Sequence, residues 1–114
     1  MLRLITGFII LVSISQFIRW DRTYRVTAYC PGACCCGEYA DGITASGAPA
    51  RGKLVAAPSE VPFGKWIYIP GYSDEPVEVL DRGGAIKGKR LDVLFPTHEE
   101  ALIWGVQYLR VRFK

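Results

Sequence analysis

A glycine-rich run between two apolar segments most constrains what this chain can fold into. The run reads LDRGGAIKGKRLD over residues 80–92, with VEVL directly before its first aspartate and LDVLF at its end. Its glycines are too small to fill a core, whereas the flanking segments have the apolar character of buried strands. We therefore predict two strands joined by an exposed loop, with Asp81 and Asp92 where the strands meet it. Two acids presented at strand ends are typical of sites that cleave sugars.

The rest of the chain alternates short extended segments with turns. Besides the two strands above, the pattern predicts extended segments at residues 24–29, 43–47, 53–57, 66–69 and 107–113. One helix is predicted in THEEALIWG, where Thr97 is the N-cap, Glu100 completes a capping box and Gly105 ends the helix. Six or seven short strands with one helix in about 90 residues predict a small all-β domain that closes into a barrel.

Size and charge exclude several classes of protein. The chain has 114 residues, which is enough for one small domain. Its net charge of +3 is small and its basic residues are scattered, so we expect no nucleic-acid partner. Neither a P-loop nor a dinucleotide-binding glycine motif occurs in the sequence, and we expect no cofactor.

The amino terminus has the features of an export segment. Arg3 precedes the uncharged run LITGFIILVSISQFI at residues 4–18. This run has about the length of a signal-peptide core and is short for a membrane span of about 20 residues. We predict a hydrophobic helix at residues 1–22 that serves as a signal peptide or an uncleaved membrane anchor. An extracytoplasmic domain, secreted or membrane-anchored, follows at residues 23–114. A buried core helix is the alternative, but the run almost lacks polar residues at helical spacing.

All four cysteines lie in the motif CPGACCC at residues 30–36. In a small exported domain the favoured interpretation is one or two local disulfides among Cys30, Cys34, Cys35 and Cys36. A metal site stays open as the alternative, although zinc sites usually show a second ligand pair elsewhere. The single histidine, His98, lies far along the chain in the first turn of the predicted helix, where we interpret it as a solvated or capping residue. The sequence therefore assigns no metal ligands, and it leaves both the pairing of the cysteines and the metal alternative open.

Five segments, in this order, resemble a known family. They are TAYC at 27–30, DGITASG at 41–47, KLVAAPSEVPFGKWIYIPGY at 53–72, VEVLDRGGAIKGKRLDVLF at 77–95 and EEALIWGVQYLRVRF at 99–113. The arrangement resembles the 3D domain, which is named for three aspartates. That domain is shared by the membrane-bound lytic transglycosylase A family and by small exported cell-wall enzymes of bacteria and phages. DRGGAIKGKRLD is its most specific segment.

The resemblance implies a fold, an activity and a set of catalytic residues. The implied fold is a six-stranded double-psi β-barrel whose groove binds peptidoglycan glycan strands. The implied activity is cleavage between N-acetylmuramic acid and N-acetylglucosamine that leaves a 1,6-anhydro end, by a monomer in cell-wall turnover or lysis. Asp92 falls on the family's catalytic acid and Asp81 on its supporting aspartate. The third aspartate falls on Ala57, where this chain departs from the family pattern.

The chemistry of this reaction explains why a single acid can be sufficient. The glycosidic oxygen leaves poorly until it is protonated, so a carboxylic acid must lie against it. The 6-hydroxyl of the muramic acid itself attacks, and the carboxylate that gave its proton can then accept the hydroxyl's proton. An unperturbed aspartate titrates at about pH 4. Asp92 therefore needs desolvation, or an acidic neighbour such as Asp81, to stay protonated.

Five further residues are candidates for substrate binding: Thr44, Ser46, Gly83, Gly84 and Lys87. The two hydroxyls suit sugar groups but equally suit turn formation, and Lys87 suits a substrate carboxylate but equally suits a solvated loop. The glycines would let the backbone approach the glycan closely. Two other functions stay open, namely a glycan-binding module without activity and a glycoside hydrolase that uses the two aspartates as a pair.

Overall fold

The computed structural model describes residues 22–114 of the chain. The hydrophobic helix predicted at the amino terminus lies outside the described residues, so its interpretation as a signal peptide or an anchor stays a prediction. Among residues 22–114, no helix has the length and apolar character needed to cross a bilayer.

Seven strands and two short α-helices form the described part of the chain. The strands are β1 Thr23–Tyr29, β2 Leu54–Ala56, β3 Trp66–Tyr68, β4 Val77–Asp81, β5 Arg90–Leu94, β6 Gln107–Arg110 and β7 Arg112–Phe113. The helices are α1 Ala33–Cys36, which a 3-10 turn at Gly37–Tyr39 follows, and α2 His98–Trp104. The predicted mostly-β fold is confirmed.

All seven strands belong to one mixed sheet in the order β6-β1-β5-β2-β4-β3-β7. β1 with β5 and β2 with β4 are parallel pairs, and the other neighbours are antiparallel. β6 and β7 stand at the two ends of the row, although only Val111 separates them along the chain. Val111 is buried, and its N–H donates to the carbonyl of Arg22 at 3.2 Å. The segment predicted as one strand is therefore divided, and the six strands of the predicted barrel become seven.

Alternation along β5 separates two apolar clusters. Leu91 and Val93 are fully buried in the main core cluster. Leu94 belongs to a smaller cluster, which also contains Ala56. Because successive side chains of a strand leave on opposite faces, Asp92 leaves β5 on the face opposite Leu91 and Val93. The acid thus lies outside the main core while its strand is anchored inside it.

The helix α2 has the ends that the sequence predicts. The Glu100 N–H donates to the hydroxyl of Thr97 at 3.2 Å, and the helix ends at Gly105, whose φ is +66°. The indole N–H of Trp104 donates to the carbonyl of Val26 at 3.1 Å, and its ring lies edge-on against Tyr72. These contacts tie α2 to β1 and to the main core.

The cysteine motif differs from the predicted loop. Ala33–Cys36 form one helical turn, because the carbonyl of Gly32 accepts the N–H groups of Cys35 and Cys36 at 3.1 and 2.9 Å. The prediction of a single helix in the domain is therefore wrong. Consecutive cysteines have no strong preference against a helical turn, and glycines at both ends bound it.

Candidate active site

Both predicted aspartates line one cavity of about 650 Å³. Its walls come from the ends of β1 and β4, the middle of β5, the glycine loop and the segment 41–45. A volume of this size lies within the range of about 300–1,000 Å³ that is usual for small-molecule pockets. The structure thus brings Asp81 and Asp92 together in a space large enough for a sugar.

Ala56 explains how both acids reach the same cavity. On β2 it pairs with Asp92 of β5 on one side and with Asp81 of β4 on the other. Paired residues in a sheet present their side chains on one face, and two strand spacings put the two backbones roughly 10 Å apart. The small methyl group of Ala56 leaves the space between the carboxyl groups open.

An irregularity in the sheet turns Asp81 toward the cavity. Simple alternation along β4 would place Asp81 on the same face as Val77 and Val79, which are buried in the main core. The register between β2 and β4 shifts after Val55, so that Asp81 rather than Leu80 lies opposite Ala56. A shift of one residue moves a side chain to the other face, as in a β-bulge.

Asp92 lies in desolvated surroundings with few donors. The hydroxyl of Thr27 donates to its Oδ1 at 3.0 Å, and Arg90 lies beside the same hydroxyl at 3.5 Å. Burial raises the pKa of Asp92 to about 6; the hydrogen bond from Thr27 and the charge of Arg90 oppose this effect, and the charge of Asp81 adds to it. With this pKa about half of the carboxyl groups hold a proton at pH 6 and about a tenth at pH 7.

Asp81 is surrounded by donors instead. The hydroxyl of Tyr29 donates to Oδ2 at 2.6 Å, and the backbone N–H groups of Ala45 and Arg82 donate to Oδ1 at 2.9 and 2.8 Å. Burial, followed by the bond to Asp81, raises the pKa of Tyr29, so its hydroxyl keeps the proton that it donates. Asp81 therefore acts as a fixed acceptor that three separate segments hold in place.

Ala57, on which the resemblance places the family's third aspartate, does not line the cavity. It is fully buried in the main core cluster, and its carbonyl accepts the guanidinium of Arg82 at 3.3 Å. The same guanidinium donates to the carbonyl of Val61 at 2.6 Å. An acid at position 57 would need its own partner inside the core. The departure at Ala57 therefore removes no carboxyl group from this cavity wall.

A third carboxyl group in the cavity comes from Asp41, which the sequence did not single out. Asp41 is exposed, lines the cavity and accepts the N–H of Ile43 at 3.0 Å. This contact is the local Asx-type turn that aspartates often form. Its place in the DG pair before ITASG predicts a turn, but nothing in the sequence shows that this turn faces Asp81 and Asp92.

Thr44, Ser46 and Lys87 have different places relative to the cavity. Thr44 is buried and lines it, but its hydroxyl donates to the carbonyl of Ala48 at 2.9 Å and lies 3.0 Å from the Ser46 hydroxyl. These bonds belong to a tight turn rather than to the extended segment predicted at 43–47. Ser46 and Lys87 are exposed and do not line the cavity.

Gly83 and Gly84 both line the cavity, for different physical reasons. A Cβ on Gly83 would lie 2.9 Å from Cγ1 of Ile86, so packing alone requires a glycine there. A Cβ on Gly84 would meet nothing within 4 Å. The proposed close approach of a ligand to the backbone therefore depends on Gly84 more than on Gly83.

The cysteine motif lies beside the cavity, and the structure describes its four cysteines as free thiols. Cys35 and Cys36 line the cavity, and the Sγ of Cys35 lies 3.6 Å from Nδ1 of His98. Burial, followed by the charge of Asp81, raises the pKa of Cys36, so this thiol is a poor nucleophile near neutral pH. The predicted disulfides stay a prediction.

Comparison with known proteins identifies the family. The family model described as the 3D domain matches residues 54–113, which is more than half of the chain. The chain belongs to the 3D-domain family. The matched range contains Asp81, Asp92 and the position of Ala57, while β1 and the cysteine motif precede it. The resemblance seen in the sequence is thus confirmed.

Two relatives of this 3D domain come from Bacillus subtilis (strain 168). One is described as "Cell wall-binding protein YocH" and is 34% identical over 76 residues, which cover 67% of this chain and 26% of the relative. The other is described as "Putative cell wall shaping protein YabE" and is 31% identical over 86 residues, 75% of this chain and 20% of the relative. The chain thus spans about a quarter or less of the length of these relatives.

Besides Asp41, the sequence also did not predict the roles of Thr27 and Tyr29 in the site. They lie two residues apart on β1, so their side chains share a face, and each donates to one of the two aspartates. The alternation of β1 shows that shared face. The parallel pairing of β1 with β5, which sets Thr27 opposite Asp92, has no signal in the local sequence.

Proposed function

We propose that this 3D domain is a peptidoglycan lytic transglycosylase in which Asp92 is the proton donor and Asp81 its supporting acceptor. The observation that supports this most strongly is the pairing of two unlike carboxyl groups in one cavity, one desolvated and one held by donors. Environments that separate two acids in this way are the usual sign of divided roles in acid–base catalysis.

Asp92 has the properties that a general acid needs near neutral pH. Its pKa of about 6 lies near neutral pH, where a donor is partly protonated and still acidic enough to give up the proton. In the proposed reaction Asp92 protonates the glycosidic oxygen as the bond to N-acetylmuramic acid breaks. The ionised Asp92 then accepts the proton of the 6-hydroxyl as that oxygen bonds to the anomeric carbon, which closes the 1,6-anhydro ring.

Asp81 is better suited to positioning than to attack. Its Oδ1 accepts two backbone N–H groups and its Oδ2 accepts the Tyr29 hydroxyl, which leaves about one of the four lone-pair sites of the carboxylate for any other partner. A nucleophile or a base that activates water must expose a free lone pair to its target. We therefore place the hydrolase mechanism, which uses both acids directly, behind the transglycosylase mechanism, which uses only Asp92.

We also propose that the sheet closes into a double-psi barrel. The observation behind this is that the divided carboxy-terminal strand pairs with β1 through β6 and with β3 through β7. A segment that borders both ends of a row can close the row, and β6 with β7 would then count as the sixth strand. The groove for the glycan strand would pass over the cavity between the glycine loop and the segment 41–45.

The cell wall is the proposed location and partner. The relatives' descriptions as cell wall-binding and cell wall shaping proteins support an extracytoplasmic domain that contacts peptidoglycan. Residues 1–22 would carry the chain across the membrane, either as a cleaved signal peptide or as an anchor, and residues 23–114 would act outside it as a monomer.

A glycan-binding module without activity is the second candidate. The description of one relative as a cell wall-binding protein favours it, and so does the departure at Ala57. Asp92 would then serve only as a partly buried acceptor for Thr27, and the cavity would hold a sugar without protonating it.

Product analysis on purified sacculi distinguishes the candidates. The protein is incubated with sacculi, and the soluble fragments are analysed by mass spectrometry before and after borohydride reduction. The transglycosylase releases fragments with 1,6-anhydro ends that resist reduction, a hydrolase releases reducible ends, and a binding module releases no fragments but sediments with the sacculi.

The matched variants are Asp92→Asn and Asp74→Asn. Asp74 is exposed in the turn before β4 and does not line the cavity, so its variant should keep the wild-type rate. Loss of a positioned proton donor typically costs about 10²–10⁴-fold in rate, which is the loss that we expect for Asp92→Asn. Anhydro products at an undiminished rate from Asp92→Asn would exclude Asp92 as the donor.

A further inference from the structure

We propose that Cys30, Cys34, Cys35 and His98 form a zinc site that joins the cysteine motif to the start of α2. One potential ligand atom from each of these residues lies within 4.8 Å of the others. The cluster joins residues that are 63 positions apart in the sequence, Cys35 and His98, which is why the sequence alone did not predict it. The site stands apart from the Asp81–Asp92 pair and does not depend on the proposed activity.

The distances between the potential ligand atoms are slightly shorter than those around a tetrahedrally coordinated zinc ion. The Sγ of Cys30 lies 3.1 Å from that of Cys34 and 3.0 Å from that of Cys35, and Nδ1 of His98 lies 3.6 Å from the Sγ of Cys35. Zinc binds thiolate sulfur at about 2.3 Å, so two sulfurs of one tetrahedral site lie about 3.8 Å apart. Small rotations about the Cα–Cβ bonds would open the cluster to that size.

The chemical nature of the four ligands favours zinc. Three thiolates and one imidazole are one of the common ligand sets of structural zinc sites, and soft sulfur ligands select against magnesium and calcium. Binding of Zn²⁺ displaces the three thiol protons and leaves the imidazole neutral, with the Nδ1 lone pair on the metal. Cys34, Cys35 and His98 are exposed while Cys30 is buried, so the ion can enter from solvent onto an anchored ligand.

A disulfide would engage only two of these four side chains, whereas a metal ion can engage all four. Cys30 is almost equally distant from Cys34 and Cys35, and it can form a bond with only one of them. Either bond would leave one thiol and His98 without a role. A single zinc ion engages all four groups.

The place of the site shows what the metal would stabilise. Cys30 directly follows Tyr29, which donates to Asp81, and Cys35 lines the cavity. His98 is the first residue of α2, which Trp104 ties to the core. Zinc would therefore fix one wall of the cavity to the rigid part of the domain. In a domain this small, such a metal can replace core that the chain is too short to build.

The experiment measures zinc binding to the full-length chain, purified in detergent with a reductant and then incubated with Zn²⁺. We expect one zinc per chain after gel filtration, measured by elemental mass spectrometry. Substitution with Co²⁺ should give thiolate-to-cobalt absorption, and its intensity should fall by about a third in Cys34→Ser or Cys35→Ser as one of three thiolates is lost.

His98→Ala and Cys36→Ser are the deciding pair of variants. Cys36 lies in the same motif, but its thiol donates to the carbonyl of Cys30 at 3.3 Å and it is not one of the four proposed ligands. Changes next to a metal ligand cost about 10–100-fold in affinity, so loss of the ligand His98 should weaken zinc by at least tenfold in competition with a chromogenic chelator. Cys36→Ser should bind as the wild type does.

Three results would overturn the proposal. They are less than a tenth of an equivalent of zinc on the reduced wild-type chain, unchanged affinity in His98→Ala, or an equal loss in Cys36→Ser and His98→Ala. In a chain loaded with zinc, alkylation should spare the exposed thiol of Cys34, and removal of the zinc with a chelator should restore its modification. A chain that is found with a disulfide at Cys30, and that takes up no zinc after reduction, would show a disulfide site instead.

Discussion

The two ends of the glycine-rich run present similar aspartates in opposite surroundings. Asp81, at the end of β4, accepts hydrogen bonds from Tyr29 and from two backbone N–H groups. Asp92, in the middle of β5, accepts one from Thr27 and is otherwise desolvated. Both pair with Ala56, so their strand environments are nearly the same. The number of donors around each carboxyl group, rather than its position in the sheet, therefore distinguishes the two aspartates.

The largest expected effect on stability is a gain from Asp92→Asn. The pKa of Asp92 rises from about 4 in the unfolded chain to about 6 in the fold, so its ionised form destabilises the fold as the pH rises through this range. An amide keeps a bond to Thr27 and carries no charge, and each unit of pKa difference is worth about 1.4 kcal/mol. We expect Asp92→Asn to raise the free energy of unfolding by up to about 3 kcal/mol at pH 7.5.

Urea unfolding at several pH values measures this gain. It should be complete above about pH 6 and should disappear below about pH 4, where the wild-type carboxyl group is neutral in both states. Asp74→Asn provides the control, because Asp74 is exposed and lies away from the cavity. A variant that is less stable than the wild type at pH 7.5 would contradict the desolvation of Asp92.

Asp81→Asn should lower the free energy of unfolding, whereas Asp92→Asn should raise it. Three donors converge on the carboxylate of Asp81, and an amide turns one of its acceptor atoms into a donor. Leaving a buried donor without a partner costs about 1–3 kcal/mol, so we expect a loss of about 2 kcal/mol in the same unfolding experiment. A gain similar to that of Asp92→Asn would remove the distinction between the two acids.

Tyr29→Phe should lower the free energy of unfolding slightly less than Asp81→Asn does. It removes a single hydrogen bond of 2.6 Å to a charged acceptor, for which about 1.5 kcal/mol is the lower end of the usual range. Tyr108→Phe is the matched control, because Tyr108 is 70% exposed and should change stability little. Equal effects of the two substitutions would show that the contact between Tyr29 and Asp81 contributes nothing to stability.

Thr27→Val should produce the smallest of these effects, a change in the pKa of Asp92. The Thr27 hydroxyl lowers the pKa of Asp92, so its removal should raise that pKa above its wild-type value of about 6. The alkaline side of the pH–rate profile should then move to higher pH. Thr27→Ser keeps the hydroxyl and should leave the profile unchanged, and a shift to lower pH in Thr27→Val would contradict the role of this bond.

The sequence allowed parts of this site to be predicted. The apolar residues around Asp92 predicted its strand correctly, but Asp92 lies in the middle of β5 and not at the predicted junction with the loop, because β5 begins two residues earlier, at Arg90. Simple alternation along β4 places Asp81 in the core beside Val79, and only the register shift with β2 reverses it. That shift depends on pairing between strands that are distant in the sequence, which no local pattern encodes.

Two other features could not be predicted either, because they also depend on contacts between segments that are distant in the sequence. His98 has an ordinary place in the first turn of a helix, and only the tertiary fold brings its ring within 3.6 Å of Cys35. The division of the last strand at Val111 was also hidden, because 107–113 alternates without a break, with Leu109, Val111 and Phe113 less exposed than their neighbours. The sequence indicates which segments form strands, but it does not show which strands pair with each other in the sheet.

An NMR titration of the side-chain carboxyl carbons in wild-type protein measures the pKa of Asp92 directly. The Asp92 resonance is assigned by its loss in Asp92→Asn, and its chemical shift is followed from pH 3 to pH 8. We predict an apparent pKa of about 6 for Asp92, because burial disfavours its ionised form. An Asp92 that titrates below about pH 4.5 would contradict its assignment as the proton donor.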